Sequence, residues 1–251
     1  MRHLIDFGDM SRAEWESLYS QAVRIMDHPE QYLDACRGKV MASVFYEPST
    51  RTNFSFQAAM LRLGGTVFGF ADPGSTSTAK GESLKDTIKM VSGYADVVVM
   101  RTPWEGAAKA ASLYSNVPVV NAGDGGHMHP TQTTADLTTI TRLLGRVDGL
   151  AVGLCGDLKN GRTVHSLIKA LAKFEDIRFF LISPRELAIP DYMRAFMLEH
   201  DMRFTEVTGL EAVIPQLDVL YMTRIQRERF VDPLEYERCR GVYVLTRRKL
   251  D

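Results

Sequence analysis

The chain has 251 residues, 45% hydrophobic and 24% charged, a globular composition that excludes disordered, collagen-like and coiled-coil chains. At roughly 100 to 200 residues per domain this is one large or two ordinary domains. Thirty basic against 31 acidic side chains leave a net charge of −1, which excludes the positive field of a general nucleic-acid binder and makes any anion site local.

Met1-Arg2-His3 leads into Asp6 without a long apolar run, and no stretch approaches the roughly 20 apolar residues that span a bilayer, so neither secretion nor membrane insertion is expected. Ser11-Arg12-Ala13-Glu14 spells a capping box, and Trp15, Leu18, Ala22 and Ile25 continue it as an amphipathic helix. Short apolar runs of strand length then follow at 40–46, 66–70, 95–100, 117–120, 150–154, 178–182 and 218–222. They alternate with helical patterns at 51–63, 83–91, 106–114, 132–144, 163–174 and 192–199, the first ended by Gly64-Gly65. This rhythm predicts an α/β fold of two doubly wound parallel-sheet domains. The border falls near residue 145, where a helix ends at Gly145-Arg146 and a fresh series of strands begins, giving domains 1–145 and 146–251. The segment 241–245 counts as a fourth strand of the second series, and no closing helix is expected after it. Cys36, Cys155 and Cys239 are far apart and odd in number, which argues against a disulfide framework or zinc knuckle and for a reducing cytoplasm.

In open α/β sheets ligands bind at the carboxyl ends of the strands. The residues there share a theme: Glu47-Pro48-Ser49-Thr50-Arg51-Thr52 after the first run, Arg101 after the third, and Asn121-Ala122-Gly123-Asp124 with His129-Pro130-Thr131-Gln132 after the fourth. In the second series Gly156-Asp157 and Arg162 follow one strand and Thr223-Arg224-Ile225-Gln226 another. Arginines and hydroxyls gathered on a chain of neutral charge suit a small, highly anionic substrate. Ser49 to Thr52 is the strongest case, because a predicted helix start already offers free N–H groups and a positive dipole end; the plain alternative is that Ser49 or Thr50 only caps the helix. Gly156 to Thr163 imitates a phosphate-binding G-x4-G-K-T loop, but Arg162 replaces its lysine, and no G-x-G-x-x-G fingerprint exists. Nucleotide and dinucleotide enzymes are therefore disfavoured.

Phe45-Tyr46-Glu47-Pro48-Ser49-Thr50-Arg51-Thr52 resembles the carbamoyl-phosphate signature of the aspartate and ornithine transcarbamoylases. The resemblance runs in order through His129-Pro130-Thr131-Gln132, Gly156-Asp157-Leu158-Lys159, Gly161 to Leu167 and Tyr221 to Arg229, and so covers nearly the whole chain. Lys80-Gly81-Glu82-Ser83 and Arg224-Ile225-Gln226 favour the aspartate branch. The resemblance implies carbamoyl transfer from carbamoyl phosphate to the amine of L-aspartate, without metal or organic cofactor. It assigns the phosphate to Ser49, Thr50, Arg51 and Thr52, and the carbamoyl amide to Gln132. Thr52, Arg101 and His129 are the catalytic set, converging on the carbonyl oxygen to stabilise an oxyanion. It gives the α-carboxylate of aspartate to Arg162 and the side-chain carboxylate to Arg224 with Gln226. Arg227 and Arg229 read as a solvated charged loop. His165 shares a helix face with Arg162 and is either part of the aspartate pocket or structural.

The segment 72–81 is rich in Gly, Ser and Thr and reads as a mobile loop. By resemblance its Ser77 and Lys80 reach the site of a neighbouring subunit, which implies a homotrimer, with regulatory chains neither required nor excluded. Members of this family continue past the position of Asp251 with a strand, a substrate-touching His-Pro-Leu-Pro-Arg type loop and a returning helix. The expectation for the 251-residue form is therefore very weak or absent turnover, and the runner-up is an inactive transcarbamoylase-like binding or interaction protein.

Overall fold

In a computed structural model, which describes residues 1–250 apart from the side chains of Ser75, Glu228 and Leu250, the opening capping box forms as spelled. Ser11 accepts from the Glu14 amide, Glu14 bonds back to the Ser11 N–H at 2.7 Å, and α1 (Arg12–Asp27) runs from there. Trp15 anchors it, buried against Phe7 and Tyr19. The chain divides into two units, Met1–Thr138 and Thr139–Asp251, inside α5 (Pro130–Leu144).

The first unit holds a parallel sheet in the order β2 (Thr66–Phe70), β1 (Val40–Phe45), β3 (Val97–Thr102), β4 (Val119–Asp124). Side chains alternate between two cores. Ala42, Val44, Val98, Met100 and Val119 pack with Ile88 and Val91 of α3 (Leu84–Ser92) and with Ala108 and Ala111 of α4 (Ala107–Tyr114). Met41, Phe45, Val99 and Ala122 pack on the other face with Met60 of α2 (Thr50–Arg62). Coverage of both faces is why the central strands β1 and β3 are written as nearly continuous apolar runs.

The second unit repeats the plan with β7 (Arg203–Val207), β6 (Arg178–Ile182), β5 (Ala151–Cys155) and β8 (Val219–Met222), again all parallel. Around it lie α6 (Arg162–Leu171), α7 (Asp191–Glu199), α8 (Pro233–Cys239) and the single turn α9 (Arg247–Leu250). Two corrections follow. The fourth strand of this sheet is Arg203–Val207, not 241–245. Only Phe204 and Val207 of it are half-buried and the other three residues are exposed, and as an edge strand it carries Arg203, Thr205 and Glu206 in place of an apolar run. The 241–245 segment pairs with no strand and leaves Val242 and Val244 exposed; Tyr243 turns inward and donates its hydroxyl to the Thr208 carbonyl at 2.8 Å. The described residues also close on a helical turn, Arg247–Leu250, where none was expected. At the carboxyl end of β5, Cys155 is fully buried, and desolvation pushes its thiol up to about 12. Among the described residues no helix is long and apolar enough to cross a membrane.

Candidate active site

Each sheet has one place where the connections leave in opposite directions. In the first unit the chain passes from β1 outward to β2, then returns to the other side of β1 for β3. In the second it runs from β5 through β6 to β7, then returns beside β5 as β8. The crevice outside the strand ends at such a reversal is where open α/β sheets take their ligands. The predicted site residues fall at both: Ser49 to Thr52 and Arg101 at the β1/β3 reversal, Arg162, Arg224 and Gln226 at the β5/β8 reversal.

At the first reversal, Ser49 occupies the N-cap of α2, yet its side chain makes no capping bond. The plain capping alternative is thereby set aside, and the first-turn amides of Thr50, Arg51 and Thr52 belong to the set that no helix carbonyl can satisfy. Arg51 is exposed and Thr52 half-buried. Sequence reading passed over the residue that fixes this turn: buried Asn53, whose carbonyl oxygen accepts from Ser43 Oγ of β1 and from Gln57 Nε2, both at 2.7 Å. A helix start pinned to its own sheet in this way presents free first-turn amides, a geometry able to receive an anion.

Arg101 stands on the neighbouring strand, in register with Phe45, and its carbonyl accepts from the Tyr46 amide at 2.8 Å. Its guanidinium is held from two sides, Nε donating to Glu47 Oε1 at 2.6 Å and a terminal nitrogen to the Ala122 carbonyl at 3.3 Å. With its side chain only 12% exposed and Glu47's 25%, this is a partly buried pair that aims Arg101. Glu47 is thus a second residue that motif reading quoted without giving it a task.

Buried Asp124 at the end of β4 is the third. It accepts from the Gly106 amide (3.0 Å), Asn121 Nδ2 (3.1 Å), the Met128 amide (3.0 Å) and His127 Nδ1 (3.4 Å). Burial pushes its carboxyl up, but His127, Asn121 and Gly106 together outweigh burial and hold it below the ordinary value. These bonds fold the turn 124–128 and deliver His129, buried, to the start of α5, with Nδ1 3.4 Å from Thr131 Oγ1. Gln132 follows in the first turn of that helix and donates to Asp136 Oδ1 at 2.8 Å. Ser77 and Lys80 lie elsewhere, exposed on the 3₁₀ turn Ser77–Lys80. Within the segment 72–81, Asp72 and Thr76 each accept from the amide two residues on, capping two 3₁₀ turns.

At the second reversal Gly156 has φ of +120°, and a Cβ there would come within 2.5 Å of the Thr223 carbonyl oxygen and hydroxyl. Only glycine lets β5 and β8 end this closely. Thr223 Oγ1 accepts from the Asp157 amide at 2.8 Å, and Asp157, fully buried, accepts from the backbone and side chain of Asn160. This stapled loop opens α6 at half-buried Arg162. Gln226 Nε2 donates to the Asn160 carbonyl at 3.2 Å, tying the loop after β8 to the loop after β5. Arg224 is exposed and lines a cavity of about 180 Å³ with Gly156, Thr223, Tyr236 and Arg240. His165 has both ring nitrogens engaged, Nε2 with the Leu158 carbonyl at 2.7 Å and Nδ1 with the Tyr192 hydroxyl at 2.9 Å. That arrangement braces the 156–161 loop against α6 and α7. Among the described residues no group of three His, Cys, Asp or Glu side chains is disposed to hold a metal.

Comparison with known proteins agrees in sequence and in shape. Residues 2–142 match the family model described as aspartate/ornithine carbamoyltransferase, carbamoyl-P binding domain. The chain is 56% identical over 250 residues to an aspartate carbamoyltransferase catalytic subunit of Clostridium perfringens, covering 99% of this chain and 81% of that one. With the corresponding Lachnoclostridium phytofermentans subunit the identity is 53% over 252 residues, covering 100% and 82%. Among solved structures, the catalytic subunit of M. jannaschii aspartate transcarbamoylase superposes with a TM-score of 0.93 at 47% identity, over 100% of this chain and 83% of that one. A Trypanosoma cruzi aspartate transcarbamoylase in complex with carbamoyl phosphate and aspartate gives 0.90 at 35% identity, over 99% and 81%.

Proposed function

The chain belongs to the aspartate carbamoyltransferases of the aspartate/ornithine carbamoyltransferase family, and from that premise we propose that it transfers the carbamoyl group of carbamoyl phosphate to the amine of L-aspartate. The products are N-carbamoyl-L-aspartate and phosphate, a step of pyrimidine biosynthesis. Similarity to catalytic subunits across the whole chain gives the inactive alternative no support. The observation that carries the reading is the uncapped start of α2 beside Arg101 at the β1/β3 reversal, an anion cradle next to an aimed guanidinium.

In this reading the free amides of Thr50 to Thr52, with Ser49 and Arg51, take the phosphate, and Gln132 takes the carbamoyl amide. Thr52, Arg101 and His129 surround the carbonyl oxygen. When the aspartate nitrogen attacks, a C–N bond forms and the carbonyl electrons move onto that oxygen, whose charge these three donors stabilise. Collapse expels phosphate with the C–O bonding pair, and the departing phosphate accepts the amine proton. Arg162 pairs with the α-carboxylate, while Arg224 and Gln226 take the side-chain carboxylate; planar guanidinium forks suit both. Ser77 and Lys80 complete the site of an adjacent subunit in a homotrimer, and regulatory chains are compatible partners. Three free cysteines accord with a cytoplasmic, reducing location.

The test is direct assay of N-carbamoyl-aspartate formation, with calorimetry of carbamoyl phosphate binding. Wild type is expected to bind and Arg51→Ala to lose binding by tenfold or more. A folded protein that binds no carbamoyl phosphate, or an Arg51→Ala variant that binds it equally well, refutes the cradle.

A further inference from the structure

Tyr46 follows β1 directly, and its ring is boxed by Phe70, edge-on at 5.2 Å, and Trp104 at 5.6 Å. The residue is 6% exposed, yet its phenol oxygen has no hydrogen-bond partner among the described residues, and neither has the buried hydroxyl of Thr78. Such orphans are rare, because a buried polar group left unpaired loses its hydration and gains nothing in return. The two are neighbours. Burial dominates the Tyr46 phenol and pushes its titration up, while Thr87 and Thr78 are the hydroxyls close enough to draw it down. Thr87 already gives its proton to Glu82 Oε1 at 2.6 Å. Thr78 has committed neither proton nor lone pair, and it sits in the turn Ser77–Lys80.

We propose that the hydroxyls of Tyr46 and Thr78 form a latch: a small inward movement of the 71–83 loop joins them in one hydrogen bond and fixes Ser77 and Lys80 relative to the end of β1. Tyr46 is then a positioning residue. It touches no substrate and acts through the loop. The backbone supports this, since the Tyr46 amide donates to the Arg101 carbonyl and the adjacent Glu47 holds the Arg101 guanidinium. Two consecutive residues thereby register both the loop and Arg101 to one strand end. The functional half of the inference rests on the proposed roles of Ser77 and Lys80; the latch itself does not.

Hydrogen exchange on the 251-residue chain reads the latch without any catalysis. Loop amides are tied by local bonds, such as Gly81 N–H to the Thr78 carbonyl at 3.0 Å and Glu82 N–H to the Ser77 carbonyl at 3.2 Å, so their protection is measurable. Tyr46→Phe keeps the ring and Thr78→Val keeps the shape. Each is expected to speed exchange across 76–82 by about two- to tenfold, the worth of one net hydrogen bond, and the double variant by no more than either alone. Unchanged exchange in both single variants, or effects that multiply in the double, overturns the latch. Kinetics keep the two claims apart. If Lys80→Ala leaves turnover unchanged, the Lys80 assignment fails while the exchange result still decides the latch. If Lys80 matters, the turnover lost in Tyr46→Phe is expected to vanish in a Lys80→Ala background, and its full persistence there overturns the positioning role.

Discussion

Replacing Asp124 by Asn changes one atom and removes the charge on which four donors converge. Oδ1 serves Asn121 Nδ2 and the Met128 amide, and Oδ2 serves the Gly106 amide and His127. An amide keeps one acceptor, so its NH₂ must face one pair of donors. His127 is 44% exposed and can turn to water, so the NH₂ settles toward Gly106 and His127 and strands the Gly106 N–H. That loss, with charge-assisted bonds from Asn121 and Met128 weakened to neutral ones, comes to about 2–4 kcal/mol. With a urea slope of about 1–3 kcal/mol/M, the midpoint falls by roughly 1–2 M. The chain's two tryptophans, Trp15 and Trp104, both lie in the first unit, so fluorescence follows that unit alone. The folded carboxyl titrates below its unfolded value of about 3.9, so its contribution is complete above that value and is lost as pH falls through the folded one. The gap between wild type and variant is therefore expected to close on acidification. A midpoint shift under about 0.3 M at neutral pH, or a gap that stays constant into acid, refutes this account of the turn before His129.

Further outcomes follow from other parts of the two sites. Gly156→Ala, which drives a Cβ into the Thr223 carbonyl at a positive φ, is expected to lower stability by at least about 2 kcal/mol; calorimetric unfolding of the second unit checks it. Glu47→Gln leaves Arg101 without its carboxylate, so turnover should fall more than carbamoyl phosphate affinity, and separate measurement of kcat and KM shows whether aiming or mere charge is at stake. Arg224→Ala should raise the aspartate KM by tenfold or more and leave carbamoyl phosphate binding unchanged, since that residue lies at the other sheet reversal. For the proposed trimer, mixing the severely impaired Lys80→Ala and Arg51→Ala variants of a C-terminally completed chain should restore activity in sites that combine an intact Arg51 with an intact Lys80. A monomeric mass in solution, or no recovery, argues for sites built within one chain.

The central strands were legible because they are covered on both faces, which forces runs such as Val97-Val98-Val99-Met100 to be apolar throughout, and edge strand β2 was legible from its valine and phenylalanines. Arg203–Val207 escaped because this edge strand exposes Arg203, Thr205 and Glu206 and so carries too few apolar residues to stand out. The 241–245 segment misled because its apolar residues imitate a strand, although sheet pairing depends on a neighbour that local sequence cannot show. The placement of Ser49 to Thr52 and Arg101 at the β1/β3 reversal was readable because these residues directly follow or end apolar strand runs, where α/β folds face ligands. Asn53, Glu47 and Asp124 were not, because each is defined by its partners. Asp124 becomes a hub only when folding brings the Gly106 amide from another connection to its oxygen.

The depth of Cys155 in the second sheet bears on the protein's chemistry toward oxidants and alkylating agents. With the thiol pushed up to about 12 by burial, it stays protonated at neutral pH, and the thiolate is the reactive form. Cys239 is equally enclosed, its thiol raised by burial and then by Glu186 and Glu235. Half-buried Cys36, between α1 and β1, is left as the natural handle, so a maleimide dye added to the untouched chain will mark the first unit and leave the second dark.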